Sequence, residues 1–77
     1  MSSIQVRYFA SLRERMGKGE EQVEAAGIVT VADVWRRVSG GPMPANTLMA
    51  INQEYAGVDA RVRAGDEVAF FPPVTGG

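Results

Sequence analysis

Residues 66–77 read Asp66-Glu67-Val68-Ala69-Phe70-Phe71-Pro72-Pro73-Val74-Thr75-Gly76-Gly77. The first half alternates and is rich in β-favouring residues, which predicts a strand from Asp66 to Phe71 with Val68 and Phe70 on one face. The two prolines end this strand, because proline has no amide hydrogen to donate and its ring fixes φ. We therefore predict that the chain leaves the sheet as a stiff, extended segment.

The residues after the prolines lack bulk and end in two glycines. We expect a domain spanning 1–73 followed by a flexible tail, 74–77. At about 3.3–3.6 Å per extended residue, the tail would reach roughly 13–14 Å beyond Pro73. Gly76 and Gly77 have no Cβ, so this end would fit a narrow channel. A frayed terminus is the alternative explanation, but the proline brace between strand and glycines favours a functional tail.

Length and composition narrow the class of protein. With 77 residues the chain is one domain, and its formal net charge is −1. No basic run points to nucleic acid or to an anionic membrane surface. The chain also has no apolar run long enough to span a bilayer and no signal-peptide pattern, so we expect a soluble cytoplasmic protein.

Two missing residue types exclude most catalytic chemistry. The chain has no cysteine and no histidine, so it lacks a thiol nucleophile, thiolate ligands and the commonest general base. Glu20, Glu21 and Glu24 fall on both faces of a predicted strand, which favours a solvated edge over a metal site. We therefore expect no bound metal or cofactor, and a chain that is a poor candidate for an enzyme acting alone.

The remaining reactive group is the terminal carboxylate of Gly77. A carboxylate is a poor electrophile until an enzyme converts it to a mixed anhydride with AMP. The acyl-adenylate could then accept sulfide or a persulfide, giving a thiocarboxylate, or be passed to an amine. Both outcomes need a thin terminus on a rigid handle, so we expect a carrier whose chemistry takes place in other proteins' active sites.

The predicted elements define an α+β fold. The main helix has a Thr30–Asp33 capping box and one apolar stripe that includes Trp35. The other predicted elements are strands at Ile4–Phe9, Glu20–Ala25, Leu48–Ile51, around Tyr55 and at Asp66–Phe71, a short helix Ser11–Met16 with Ser11 and Glu14 at capping-box spacing, and a helical turn at Asp59–Arg63.

The first and last strands are the most apolar, so we place them side by side and parallel in the centre of the sheet. The prediction is a β-grasp, ubiquitin-like domain: a mixed sheet of four to five strands with one main helix packed on one face. In this arrangement Phe9 and Phe71 lie on the opposite face, on adjacent strands, with Tyr55 near them. Exposed aromatics indicate a docking site, unless loops or a different register cover them.

Several segments together resemble one family. The sequence is similar over nearly its whole length to the MoaD family of ubiquitin-like sulfur carriers, the small subunits of molybdopterin synthase. The resemblance is carried by residues 4–10, 12–14, 30–34, 50–54 and 65–77.

This resemblance implies a function. An adenylating enzyme similar to ubiquitin-activating E1 proteins would activate Gly77 with ATP and Mg²⁺, and a sulfur-transfer protein would convert it to a thiocarboxylate. The tail would then enter the large subunit of molybdopterin synthase, in a heterotetramer, and donate sulfur to cyclic pyranopterin monophosphate for molybdenum cofactor biosynthesis. The chain would be a non-catalytic sulfur-donor subunit, with Gly76 giving clearance. The residues implied in partner binding are Phe9, Tyr55, Phe71, Pro73, Val74 and Thr75.

Other functions share the same tail. The sulfur carrier of thiamine synthesis has the fold and a Gly-Gly end, although we do not associate the Phe-Phe-Pro-Pro-Val segment with it. A ubiquitin-like modifier would join Gly77 to a lysine of a target protein. A purely structural β-grasp domain would not require a free Gly-Gly end.

Overall fold

The fold is described by a computed structural model for residues 2–39 and 41–73. The predicted tail consists of Val74, Thr75, Gly76 and Gly77, and it lies outside the described residues. Within them the elements are β1 (Ser3–Tyr8), α1 (Ala10–Met16), β2 (Glu20–Glu24), α2 (Val31–Val38), β3 (Leu48–Ile51), β4 (Glu54–Ala56) and β5 (Glu67–Phe71).

The described strands form one mixed sheet in the order β2-β1-β5-β3-β4. The first and last strands are adjacent and parallel, with Val6 opposite Val68 and Tyr8 opposite Phe70. All other neighbouring strands are antiparallel. The predicted central pair is therefore confirmed, and so is the charged strand β2 at an edge.

The core lies between one face of the sheet and α2. Tyr8 and Phe70 are stacked with ring centroids 6.3 Å apart, and Trp35 meets the Phe70 ring edge-on at 5.1 Å. The Trp35 indole N–H donates to the carbonyl of Gly41 at 2.9 Å, so this buried side chain has its polar atom satisfied. Trp35 is a core residue, as its position in the apolar stripe predicts.

The start of α2 matches the predicted capping box. The Asp33 backbone N–H donates to the Thr30 hydroxyl, and the Asp33 carboxylate accepts from the backbone N–H of Thr30. The pKa of Asp33 is lowered by hydrogen bonds from the backbone N–H groups of Val29 and Thr30, with a smaller contribution from Arg36. This ionised side chain therefore fixes the point where the helix begins.

The predicted cap of the short helix is wrong. α1 begins at Ala10, and its N-cap is Phe9, which makes no side-chain cap hydrogen bond. Phe9 donates its backbone N–H to the carbonyl of Phe70, while its own carbonyl accepts from Leu12. Pairing with β5 thus holds Phe9 extended until the helix begins, and Ser11 comes too late to act as a cap.

The helical turn predicted at Asp59–Arg63 is also wrong. Here the chain makes a turn and then an isolated antiparallel bridge between Arg61 and Thr30. Val62 donates its N–H to the carbonyl of Val29, which gives the segment an extended partner at the entry to α2. Val62 is nevertheless buried.

The β3–β4 hairpin turns on two non-glycine residues with positive φ, Asn52 at 51° and Gln53 at 71°. Two-residue loops of this kind match the twist of the flanking strands but favour glycine, above all at the second position. Asn52 has a second role, since its side chain donates to Asp66 and accepts from the Glu67 N–H. The turn is therefore locked to the start of β5.

Gln53→Gly should stabilise the domain by about 1 kcal/mol, because a left-handed conformation costs an L-residue roughly 1–2 kcal/mol and glycine almost nothing. In a domain of this size that gain raises the melting temperature by about 4–8 °C. Gln53→Ala is the matched control and should give no comparable gain, because alanine still has a Cβ. A melting temperature for Gln53→Gly at or below that of Gln53→Ala would contradict the prediction.

Candidate functional site

The root of the tail is a cleft beside α1. After β5, Pro72 is half-buried and Pro73 is exposed. Together they line a depression with Leu12 and Arg15 of α1 and with residues of the loop that precedes β3, among them Pro44 and Thr47. The prolines therefore leave the sheet in contact with α1 and the loop before β3. These contacts fix the position at which the tail begins.

The sheet face opposite α2 is open and divided into two halves. On β2 and β1 its residues are polar, with Gln22 paired to Gln5 and Glu20 paired to Arg7. The Gln22–Gln5 row continues onto the charged Glu67 of β5, but the Glu20–Arg7 row and the next outward row continue on the other three strands as small or apolar residues. These are Ala69, Phe71, Leu48, Ala50 and Tyr55, and we call this set the apolar half.

An aromatic pair crosses the apolar half. Tyr55 pairs with Ala50 on β3, and Phe71 pairs with Leu48, so the two rings approach diagonally over β3. Their centroids are 5.9 Å apart at an interplanar angle of 49°. Tyr55 is 77% exposed, whereas Ala50, its partner on β3, is buried. Small residues beside the rings and an exposed edge are typical of a surface that covers a partner's apolar side chain.

Phe9 follows β1, on the side of β5 away from Tyr55, and it contacts Arg7 and not another aromatic ring. Its ring is 46% exposed and lies 5.8 Å from the guanidinium carbon of Arg7. Arg7 is also 3.7 Å from a carboxylate oxygen of Glu67 and 4.0 Å from one of Glu20. Phe9 therefore stands at the boundary between the apolar half and a charged cluster.

A carboxylate network sets the start of β5. Asp66 accepts hydrogen bonds from the backbone N–H of Arg63 and the side-chain amide of Asn52. The pKa of Asp66 is lowered chiefly by the first bond and then by the second. Because β5 carries Phe71 and the prolines, this network positions the strand from which the tail departs.

The structure brings some predicted site residues together and separates others. Tyr55 and Phe71 form one patch, Phe9 borders it through Arg7, and Pro73 lies at the root of the tail. The four remaining predicted residues, Val74, Thr75, Gly76 and Gly77, lie outside the described part of the chain. The roles of all these residues stay predictions.

Sequence reasoning put Arg7 on the face of Phe9 and Ala69 on the face of Phe71, but it did not single out Arg7, Ala50 or Ala69 as part of a site. A signal was present, because strand alternation puts Arg7 and Phe9 on one side, and a small residue on an outward strand position leaves room for neighbouring rings. The pairing of strands was needed to show which alanine is the neighbour of which aromatic residue.

Comparison with known proteins places this geometry in a family. Residues 6–77 match the sequence pattern of the ThiS family. The chain belongs to the ThiS family. The match begins at Val6 within β1, covers all the later strands and helices through β5, and continues to Gly77.

Two proteins similar to this ThiS family member have names that indicate different functions. The molybdopterin synthase sulfur carrier subunit of Escherichia coli is 39% identical over 85 residues, covering 96% of this chain and 99% of that protein. Small archaeal modifier protein 1 of H. volcanii superposes with a TM-score of 0.79 at 26% identity, covering 96% of this chain and 100% of the other.

One structural neighbour of the ThiS family member is solved with a partner. It comes from the complex of subunits 1 and 2 of molybdopterin-converting factor from Helicobacter pylori 26695, with a TM-score of 0.68. At 16% identity, over 97% of this chain and 99% of the other, this likeness concerns the fold alone. Among the described residues of our chain, neither helix has the length and apolar character needed to cross a bilayer.

Proposed function

We propose that this ThiS family member is the sulfur carrier subunit of a molybdopterin synthase. The observation that carries the proposal is the 39% identity to a sulfur carrier subunit of that enzyme along nearly the whole of both chains. The family match reaches Gly77, the residue proposed to carry the sulfur. We propose that the carrier acts in the cytoplasm.

The proposed reaction takes place on the carboxylate of Gly77. An E1-like adenylating enzyme, using ATP and Mg²⁺, joins the carboxylate to AMP and releases pyrophosphate. Hydrosulfide supplied by a sulfur-transfer protein then displaces AMP and leaves a thiocarboxylate. Where a protein persulfide attacks instead, AMP leaves and a thiol reductant cleaves the resulting acyl disulfide to the thiocarboxylate. The carrier itself binds no cofactor, because each activating group belongs to a partner.

The folded body positions the tail and presents it to the large subunit. The prolines leave the sheet from a walled cleft, and the apolar half lies on the strands beside that exit. A partner seated on Tyr55 and Phe71 would therefore have its channel close to the departing tail.

Residues 74 and 75 would line the entrance of that channel, and Gly76 would let the terminus pass where a Cβ would clash. In the synthase, two such carriers and two large subunits would form the heterotetramer, and the thiocarboxylate would donate its sulfur to cyclic pyranopterin monophosphate.

Two further functions share this activated tail. The likeness to an archaeal modifier protein supports a second candidate, in which the acyl group of Gly77 is transferred from the adenylate to an amine, with release of AMP, and not to sulfur. A thiamine-type carrier would also form a thiocarboxylate and would differ only in the enzyme that receives the sulfur.

Intact mass spectrometry tests the proposal. After incubation with ATP, Mg²⁺, the adenylating enzyme and a sulfur source, the chain should gain the mass difference between sulfur and oxygen. Addition of the molybdopterin synthase large subunit with cyclic pyranopterin monophosphate should remove that gain, whereas a thiazole-forming enzyme with its own substrates should not. A chain that never gains sulfur would contradict the carrier function.

A further inference from the structure

A tyrosine, a glutamate and a lysine form a row near β2, on the side of the sheet that faces the core. The Tyr8 hydroxyl donates to one carboxylate oxygen of Glu21 at 2.6 Å, and Lys18 Nζ lies 3.4 Å from the other. The pKa of Tyr8 is raised by burial and further by Glu21, so its hydroxyl stays a proton donor. Glu21 is thus held by one oxygen while the other faces an amine.

Lys18 is the one lysine in a chain that has seven arginines. This difference matters chemically, because a guanidinium stays protonated and does not accept acyl groups, whereas a lysine amine becomes a nucleophile on losing a proton. The chain therefore offers one side-chain amine to an activated carboxyl group.

The surroundings of Lys18 leave room for an incoming chain end. Its side chain is 50% exposed, and it lies between Gly17 and Gly19 in the turn before β2. A Cβ at Gly17 would meet nothing within 4 Å, whereas one at Gly19 would lie 3.2 Å from the Arg13 guanidinium, so the open side of the amine is that of Gly17. The turn borders a depression that also includes Ser11 and Glu14 of α1. A tail that ends in glycines could lie there without a steric clash.

We propose that Lys18 accepts the activated terminus of a second copy of this chain. The proposal rests on the adenylation of Gly77 described above. The amine attacks the acyl carbon of the adenylate, a C–N bond forms, and the C–O bond to AMP breaks with its electron pair leaving on AMP. The amine that attacks is neutral, so the Lys18 ammonium first loses one proton to solvent. Once the C–N bond has formed, a second proton passes from nitrogen to the Glu21 carboxylate and then to solvent. The product is an isopeptide-linked pair of chains, which forms where no sulfur nucleophile competes.

The arrangement of α1 favours a second copy over the chain's own tail. The cleft that holds Pro72 and Pro73 lies against Leu12 and Arg15, whereas the depression beside Lys18 lies against Arg13 and Glu14, and Ser11 borders both. To reach Lys18, a tail from the same chain would have to turn back past Ser11 at the start of this helix. A tail from another copy can approach the amine directly from solvent.

The test uses the full chain with its adenylating enzyme, ATP and Mg²⁺, and omits the sulfur source. We expect a covalent species of twice the 8.3 kDa chain mass less one water, with tryptic peptide 64–77 joined through Gly77 to Lys18. Lys18→Arg keeps the positive charge beside Glu21 and should abolish the species, while the first equivalent of pyrophosphate per adenylating enzyme is released as with the wild-type chain. Glu21→Gln should slow its formation about tenfold or more, as expected on loss of a proton acceptor.

Each alternative outcome is distinguishable. A species that persists in Lys18→Arg, or a monomer lighter by one water, would overturn the proposal, as would pyrophosphate release without any linked product. An unaffected rate in Glu21→Gln would overturn the role of that carboxylate. If the wild-type chain neither releases pyrophosphate nor gains sulfur when a source is present, the carrier function itself fails, and this inference fails with it.

Discussion

Removal of Gly77 should abolish sulfur transfer and leave the domain folded. The reaction needs a carboxylate at one fixed distance from the docked body, and each extended residue changes that distance by about 3.3–3.6 Å. An error of even 1 Å at a reacting centre can cost a hundredfold in rate. An alanine added after Gly77 should be equally damaging, because it moves the carboxylate and introduces a Cβ. The measurement is thiocarboxylate formation by intact mass, with single-turnover sulfur transfer.

The controls for this prediction distinguish an effect of tail length from a loss of folding. The last strand ends at Phe71, so both length variants should keep the wild-type melting temperature. Thr75→Ser preserves the length and the backbone of the tail and should stay active. Full activity in either length variant would reject a carrier that works through its terminus.

Phe70→Ala should lower the stability of the domain, whereas Phe71→Ala should weaken partner binding, although the two residues are adjacent. Phe70 is fully buried between Tyr8 and Trp35, so its truncation should cost about 3–5 kcal/mol of unfolding free energy. Such a loss would unfold much of a small domain. Phe71 contacts Tyr55 on the open face, and its truncation should cost little stability but weaken large-subunit binding about thirtyfold, as for a typical hot spot.

Two measurements distinguish these effects. Denaturant unfolding, followed through the buried Trp35, reports stability, and titration with the large subunit reports affinity. Phe70→Leu should lose less stability than Phe70→Ala and keep wild-type affinity. A large fall in stability for Phe71→Ala would show that the open face is part of the core, and wild-type affinity would show that docking takes place elsewhere.

Much of the fold could be predicted because period and composition agree along the chain. The alternation of Ile4, Val6 and Tyr8 gave the inward face of β1, and the stripe through Trp35 gave the packing face of α2. These signals are local, and each is repeated over several residues. The apolar character of β1 and β5 then placed them in the centre, since buried strands need apolar residues on the core face.

The predictions that failed depend on contacts between distant segments. Ser11 has the spacing of a cap, but pairing of Phe9 with Phe70 settles where α1 begins. Residues 59–63 form an extended bridge because Thr30 lies beside Arg61. Likewise, the approach of Tyr55 to Phe71 needs the register of three strands, which no single segment contains.

The central claim is that the reactive sulfur resides on Gly77 and is supplied to the partner from there. The most direct test isolates the thiocarboxylated chain, mixes it with the large subunit and cyclic pyranopterin monophosphate for a single turnover, and records its intact and fragment masses before and after. We predict that fragmentation places the added sulfur on Gly77, and that its loss matches the sulfur gained by the product. Product formed while the chain keeps its sulfur, or sulfur located on any other residue, would contradict the claim.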